Sequence, residues 1–444
     1  MKRRIAVLLA VCLSVTGLLT ACGGSAKKDE AGQADSGVTT EAKASPEEAT
    51  EVGSEEMVTL TFPSIWVGSD SKAEAFGKMI SDFNEENKGE IEILVEEQTD
   101  YDAYRDKIRT QISTGNAPDI FTVESFADVQ LFAESGKLMD MTDFLAESTM
   151  TERFVEGLVE KAKVNGVNYG FPYENAYIPA MYNMSLFEKA GITAIPKTYD
   201  ELWAACEKLK EQGVFPITQM TNDNAWTSML WYSYAVASCG GADVYERGLD
   251  DPAFVEAAEI IKKMFDYTSS DAIGADATVV NGHFFNERAA IYTNGSWILG
   301  RIQSEGAEGL FDSIEIGSSL EFNGENGGGY LNVVQAYICA GKQEDPAKEA
   351  AVLKFFEFIT QEDKIVELSN SSGSTFAIDT DVANIENRLQ AEIITKGSEA
   401  NYTIGHFQGS VPTATANAFP AALESLVLGD VDAQGFVDIL KAAK

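Results

Sequence analysis

The sequence predicts an α/β fold built around parallel strands, and three local patterns carry that prediction. Apolar residues alternate through Val58-Thr59-Leu60-Thr61-Phe62, as on a half-buried strand. Phe76, Met79, Ile80 and Phe83 then recur at the spacing of one helical face, after which Ile91, Ile93 and Val95 return to alternation. Strand, helix and strand in that order need a crossover connection, which makes the two strands parallel.

The other elements follow in chain order. Tyr101, Tyr104, Ile108 and Ile112 mark a second helix, and Gly115-Asn116-Ala117-Pro118 breaks it before the short apolar run Ile120 to Val123. This is a βαβαβ unit with helices on the faces of its sheet. Farther along, Tyr330-Leu331-Asn332-Val333-Val334 reads as a strand. Asp345-Pro346 supplies an N-cap and a first-turn proline for a helix whose apolar face is Val352, Leu353, Phe356 and Ile359. A last helix carrying Phe436, Ile439 and Leu440 starts from Asp430 or Asp432. No repeat with a period of roughly 20–50 residues is visible, which argues against solenoids and propellers.

The 444 residues, 45% of them hydrophobic, are enough for two to four domains with cores of their own. A formal charge of −37 repels phosphate backbones, so nucleic acid is excluded as a partner and neutral or cationic partners are expected. The cysteines form no C-x-x-C pair, and His283 and His406 are the only histidines, so neither a zinc site nor any cofactor is expected. There is no G-x-S-x-G, Walker loop or H-E-x-x-H. Gly327-Gly328-Gly329 leads into a strand, whereas a phosphate cradle needs a helix N-terminus. Asp430-x-Asp432-x-Gln434-Gly435 opens like a calcium loop, but Lys441 stands where the bidentate carboxylate belongs, and helix capping accounts for it better.

Lys2, Arg3 and Arg4 precede an apolar stretch from Ile5 to Leu19 that is too short to span a bilayer comfortably, so residues 1–21 read as a secretory signal peptide. Leu19-Thr20-Ala21-Cys22 resembles a bacterial lipobox. The resemblance implies cleavage before Cys22, an acyl chain such as palmitate at that residue, and anchoring on the extracytoplasmic face of the cell membrane. Residues 22–56 hold almost no large apolar side chain and are expected to form a disordered tether. The isolated spacings of Cys206, Cys239 and Cys339 favour buried thiols, and a disulfide between two of them stays open.

Several further segments match one family together. They are Gly115-Asn116-Ala117-Pro118-Asp119-Ile120-Phe121, Phe132 to Leu138, Tyr169-Gly170-Phe171-Pro172-Tyr173-Glu174 continuing to Asn183, and Pro196 to Leu202. Phe284 to Ala290, Asn294-Gly295-Ser296-Trp297 and the triple-glycine segment complete the set. With the lipobox, the chain resembles the extracellular solute-binding proteins of family 1, the lipoproteins that deliver sugars to ATP-driven importers, with maltose-binding protein a distant relative. The resemblance implies a two-lobed, periplasmic-binding-protein-like fold of type II, each lobe a sheet flanked by helices, with a hinge between them. Tyr169 to Pro172 would be the first crossing between lobes and Thr293 to Trp297 the second. That divides the body into residues 57–170 with 294–344 and residues 171–293 with 345–444. The implied function is that of a monomeric binding lipoprotein, not an enzyme. It would capture a mono- or oligosaccharide and deliver this carbohydrate to the transmembrane subunits of an ABC permease. A glycan sensor serving a membrane receptor, a binding protein for another solute and a secreted hydrolase are the alternatives.

A pyranose has apolar C–H faces and a rim of hydroxyls, so its site needs aromatic platforms with carboxylates or amides around them. Trp226 follows the polar run Thr221-Asn222-Asp223-Asn224 and matches a stacking position of the family. Trp66 lies just past the first strand, where open sheets place ligands, and Trp297 lies at the expected second crossing. Glu124 ends the third strand, Asp70 belongs to the first loop, and Glu174 and Asn175 follow the first crossing, with Tyr177 and Tyr182 shortly after. Gly328 is included from the triple-glycine segment. Trp203 and Trp231 are assigned to packing by their helical periodicity. Tyr177 stands where a maltose site carries a carboxylate, so maltose specificity is not implied.

Overall fold

The computed structural model describes residues 57–68 and 70–443; the stretches expected to be a signal peptide and a tether, with Cys22, lie outside the described residues. The strands of the first half are β1 (Val58–Ser64), β2 (Ile91–Glu97), β3 (Ile120–Val123), β4 (Lys163–Val164), β5 (Val167–Asn168), β6 (Gly170–Ile178) and β7 (Ala180–Asn183). Then come β8 (Phe215–Ile217), β9 (Ala289–Thr293), β10 (Ile314–Gly317), β11 (Gly329–Ala340) and β12 (Tyr402–Ile404).

β1 and β2 pair in parallel, from Val58 opposite Ile91 to Ser64 opposite Glu97. The connecting helix Ala73–Glu86 buries Phe76, Met79, Ile80 and Phe83, the residues its periodicity singles out. Phe62 of β1 meets Phe76 edge to face at 5.4 Å, and Phe355 of the helix Pro346–Ile359 closes the cluster against Phe62 and Phe83. β3 departs from the expected parallel order. It pairs antiparallel with β11, Ile120 opposite Ala340, because β11 brings a buried apolar run to its edge from far along the chain.

The second lobe holds a sheet in the order β10-β7-β9-β8, beside the almost wholly buried helix Trp226–Gly240. Asp345 and Asp432 cap their helices as the sequence requires, accepting from the N–H of Ala347 at 2.9 Å and of Gly435 at 2.8 Å. Cys206 and Cys339 are buried thiols and Cys239 is partly buried; none of the three forms a disulfide.

Two long strands join the lobes. β6 and β11 run antiparallel from Leu331 opposite Ile178 to Cys339 opposite Gly170, with irregular register between Val334 and Tyr337. Phe171, Tyr173 and Ala336 to Ala340 pack into the first lobe's core, whereas Ala176, Ile178, Leu331 and Val333 pack into the second's. A bulged register is a place where paired strands bend.

This corrects the expected boundaries. The first crossing lies inside β6 at Glu174 and Asn175, just after the expected Tyr169 to Pro172. The second lies in β11 rather than at Thr293 to Trp297, since Tyr292, Ile298 and Leu299 all pack within the second lobe. A third passes between Ile378, in the first core, and Leu389, in the second lobe. The segment after Asn294 as far as Val333 therefore belongs to the second lobe, and Ala351 to Ile378 to the first, the reverse of the expected division. A short segment with Gly or Pro marks a turn as readily as a hinge, and only the packing of its flanks separates the two.

Candidate functional site

On the first lobe the loop after β1 carries a buried cation. Lys72 is 6% exposed, and its Nζ lies 3.5 Å from both Asp70 and Glu174. It also directly precedes the helix Ala73–Glu86, where the helix dipole disfavours positive charge. Two carboxylates offset these costs. Trp66 supports the group: one face stacks on Tyr173 at 5.7 Å, Phe76 meets it edge-on at 5.4 Å, and the Lys72 ammonium lies 5.9 Å from its centroid. The Tyr101 hydroxyl donates to Asp70 at 3.3 Å. Tyr101 is 43% exposed, but partial desolvation of its hydroxyl, then the charges of Asp70, Glu124 and Glu174, push the phenol above its ordinary range, so these carboxylates share one electrostatic neighbourhood. Glu124, just past β3, faces Arg105 at 3.5 Å.

At the first crossing the backbone of Asn175 is fully engaged. Its N–H donates to Thr375 O at 3.0 Å, and its carbonyl accepts from the Thr375 hydroxyl at 2.7 Å. Its side chain is the opposite case. At 1% exposure, neither the amide oxygen nor the amide nitrogen of Asn175 has a hydrogen-bond partner among the described residues. Ser374, next to Thr375, and Ser296, which approaches Gly373 from the second lobe, likewise carry buried unpartnered hydroxyls. Leaving such a group unsatisfied costs about 1–3 kcal/mol, so a cluster of them where two lobes meet is suited to hydrogen-bonding a guest.

The second lobe contributes an aromatic group. Trp226 and Trp297, both partly exposed, have centroids 6.3 Å apart, and His406 meets Trp226 edge-on at 5.5 Å. A chain of buried amides sets the Trp226 ring. Its indole N–H donates to Asn294 Oδ1 at 3.1 Å, Asn294 Nδ2 donates to the Tyr292 hydroxyl at 2.6 Å, and that hydroxyl donates to Asn281 at 2.6 Å. Asn224 and Ala225 both adopt left-handed backbone, φ 59° and 52°, immediately before Trp226. Such strain in a non-glycine pair is concentrated at functional sites. Gly295 is required under Trp297, because a Cβ there would lie 2.1 Å from the indole. Burial pushes the His406 imidazole down to about 4, which keeps it neutral beside the tryptophans.

The structure thus brings Asp70, Glu124 and Glu174 together on the first lobe, Asn175 at the crossing, and Trp226 with Trp297 on the second. Tyr177 packs edge-on to Tyr330 at 6.0 Å in the second lobe. Three expectations need correction. Trp66 is 2% exposed with its ring occupied by Tyr173 and Lys72, so it holds the charged group in place and offers no free stacking face. Tyr182 is 1% exposed inside the sheet, between Ile291 of β9 and Glu315 of β10, and its ring meets Phe187 edge-on. Gly328 has φ 76° in the turn before β11, where a Cβ would collide with Asn401, so its role is to shape the turn. Sequence reasoning missed Lys72, Tyr101, Asn294 and His406. Lys72 follows Asp70 closely and Asn294 lies in a segment already singled out, so both had a signal; nothing marked Tyr101, and rarity alone marked His406.

The fold and this junction define a class: a two-lobed binding protein with polar and aromatic groups held where its lobes meet. The model of the bacterial extracellular solute-binding protein family matches residues 78–393, and the chain belongs to that family. It is 25% identical over 51% of its length to the diacetylchitobiose binding protein DasA of Streptomyces coelicolor, covering 52% of that protein. It is 26% identical over 55% of its length to the sn-glycerol-3-phosphate-binding periplasmic protein UgpB of Agrobacterium fabrum, covering 57% of it. The chain thus spans about half the length of the curated relatives it matches. Among solved structures, a chitin oligosaccharide binding protein superposes with a TM-score of 0.75 at 20% identity, over 87% of this chain and 98% of that one.

Proposed function

We propose that this chain is the solute-binding lipoprotein of an ABC importer, held outside the cytoplasm by lipid on Cys22. It captures a neutral mono- or oligosaccharide between its lobes and delivers it to a membrane permease. The observation that carries this reading is the Asn175 side chain, buried at the crossing with its donor and its acceptor both open, beside Glu174 and with an aromatic pair on the second lobe. An amide that can donate and accept at once suits a sugar hydroxyl, and Trp226 with Trp297 suits the C–H faces of the ring. Relatives named for diacetylchitobiose, maltotriose and sn-glycerol-3-phosphate offer both neutral and anionic precedents. The charge of the first-lobe group favours the neutral ones. Asp70, Glu124 and Glu174 outnumber Lys72 and Arg105, and both cations are already ion-paired, so a phosphate would meet net repulsion from this group.

Binding then works by population shift. A sugar that touches both lobes adds affinity only in the closed arrangement, and closure displays the loaded state to the permease. A thermal-shift screen of the protein against neutral oligosaccharides and sn-glycerol-3-phosphate tests the reading. A neutral sugar at 100 times its Kd should add ~2.7 kcal/mol of stability while the phosphate adds nothing. Stabilisation by the phosphate and by no sugar overturns it.

A further inference from the structure

Away from the lobe junction, a concavity of about 640 Å³ opens on the second lobe beside the helices Tyr199–Glu211 and Ala253–Phe265. Trp203 lines it, partly exposed and stacked with Tyr199 at 5.8 Å and Tyr267 at 5.7 Å. Asp200, Glu256, Glu259 and Glu321 also line it. None of these four carboxylates has an ion pair or a side-chain hydrogen bond among the described residues.

Lys263 supplies an independent observation. It stands four residues after Glu259 on one helix, the arrangement that favours a Glu–Lys ion pair. Elsewhere the chain uses that spacing, as in Lys78 with Asp82 and Arg301 with Glu305. Lys263 does not: its ammonium lies 4.3 Å from the Trp203 centroid and makes no ion pair among the described residues. The aromatic face of this concavity already holds a cation in preference to the adjacent carboxylate.

We propose that the concavity is a second binding site, for an organic cation with a guanidinium or alkylammonium head. The head takes the place of the Lys263 ammonium against Trp203, and Lys263 falls back onto Glu259. A guanidinium is more weakly hydrated than an ammonium and lies flat on an indole, so the exchange favours the guest. Asp200, Glu256 and Glu321 accept its N–H groups. The site is independent of whatever solute binds between the lobes.

Agmatine is the probe, titrated calorimetrically into the whole protein, with N-butylacetamide as the uncharged control. The expected result is saturable agmatine binding that weakens with added salt, and none of the control. Lys263→Ala should tighten agmatine several-fold by removing the resident competitor, an effect that a structural role for Lys263 would not produce. Glu256→Gln with Glu321→Gln should weaken it by at least ~tenfold. All three positions are exposed, so the fold should persist, and thermal unfolding checks that. The proposal is overturned if neither the wild type nor Lys263→Ala binds agmatine saturably. It is equally overturned if these substitutions leave binding unchanged while Glu124→Gln abolishes it, since the cation would then sit at the lobe junction.

Discussion

Trp226 is the side chain on which the residue-scale predictions turn, because its orientation is set by its neighbours. Asn294 accepts its indole N–H, and the Tyr292 hydroxyl and Asn281 hold Asn294 in turn. Trp226→Ala should weaken sugar binding more than tenfold, the effect of removing an aromatic anchor worth ~1–3 kcal/mol. Asn294→Ala should weaken it by a smaller factor while leaving Trp226 in place; equal affinities for wild type and both variants in calorimetry would remove this group from the site. His406 yields a second prediction with a definite sign. Its folded value is pushed down to about 4 by burial, against an ordinary value of 6.5. Above pH 6.5 both states are neutral and the group is silent; as pH falls from there toward 4, the unfolded chain takes up a proton that the folded one refuses. Stability is therefore lost on acidification, by up to about 3 kcal/mol from this group. In urea titrations at pH 7 and near pH 4.5, His406→Gln should lose less than the wild type, and identical losses would contradict the assignment.

At the scale of elements, the legible parts were those written within a few residues of themselves. The helix Ala73–Glu86 buries the face its spacing predicts, and Asp345 and Asp432 cap where a carboxylate precedes an apolar period. The pairing of β6 with β11 was not legible, because its register joins stretches far apart in the chain and no local pattern selects the partner. Gly170 shows how tightly that pairing is made. A Cβ there would lie 2.6 Å from Cys339 Sγ and 2.8 Å from the Ile338 carbonyl oxygen. Gly170→Ala should cost ~1–3 kcal/mol in denaturant unfolding. Adding Cys339→Ala should restore only part of this, because the carbonyl stays; full recovery would mean that the strands separate more easily than their contacts imply.

For the whole molecule the expected behaviour is closure. The lobes are joined by β6, β11 and the segment between Ile378 and Leu389, and the register of β11 is irregular at the point where it changes lobes. A bound sugar should lower the radius of gyration in solution scattering. Glu124→Ala and Trp226→Ala, on opposite lobes, should each reduce the closed fraction, since closure draws on contacts to both sides. A ligand that binds without compaction would leave the site intact and remove the clamp. The sequence by itself determined the α/β class, the helix caps and the family, and it offered Asp70, Glu124, Glu174, Asn175, Trp226 and Trp297 as candidates, because periodicity, capping and motif spacing act over a few residues. Only the tertiary structure decided which lobe owns residues 294–333 and Ala351 to Ile378, that Trp66 supports Lys72 instead of stacking on a ligand, and that Asn294 and His406 frame Trp226. Those outcomes depend on which distant surfaces bury one another, a choice made by the packing of the whole chain and recorded in no short stretch of it.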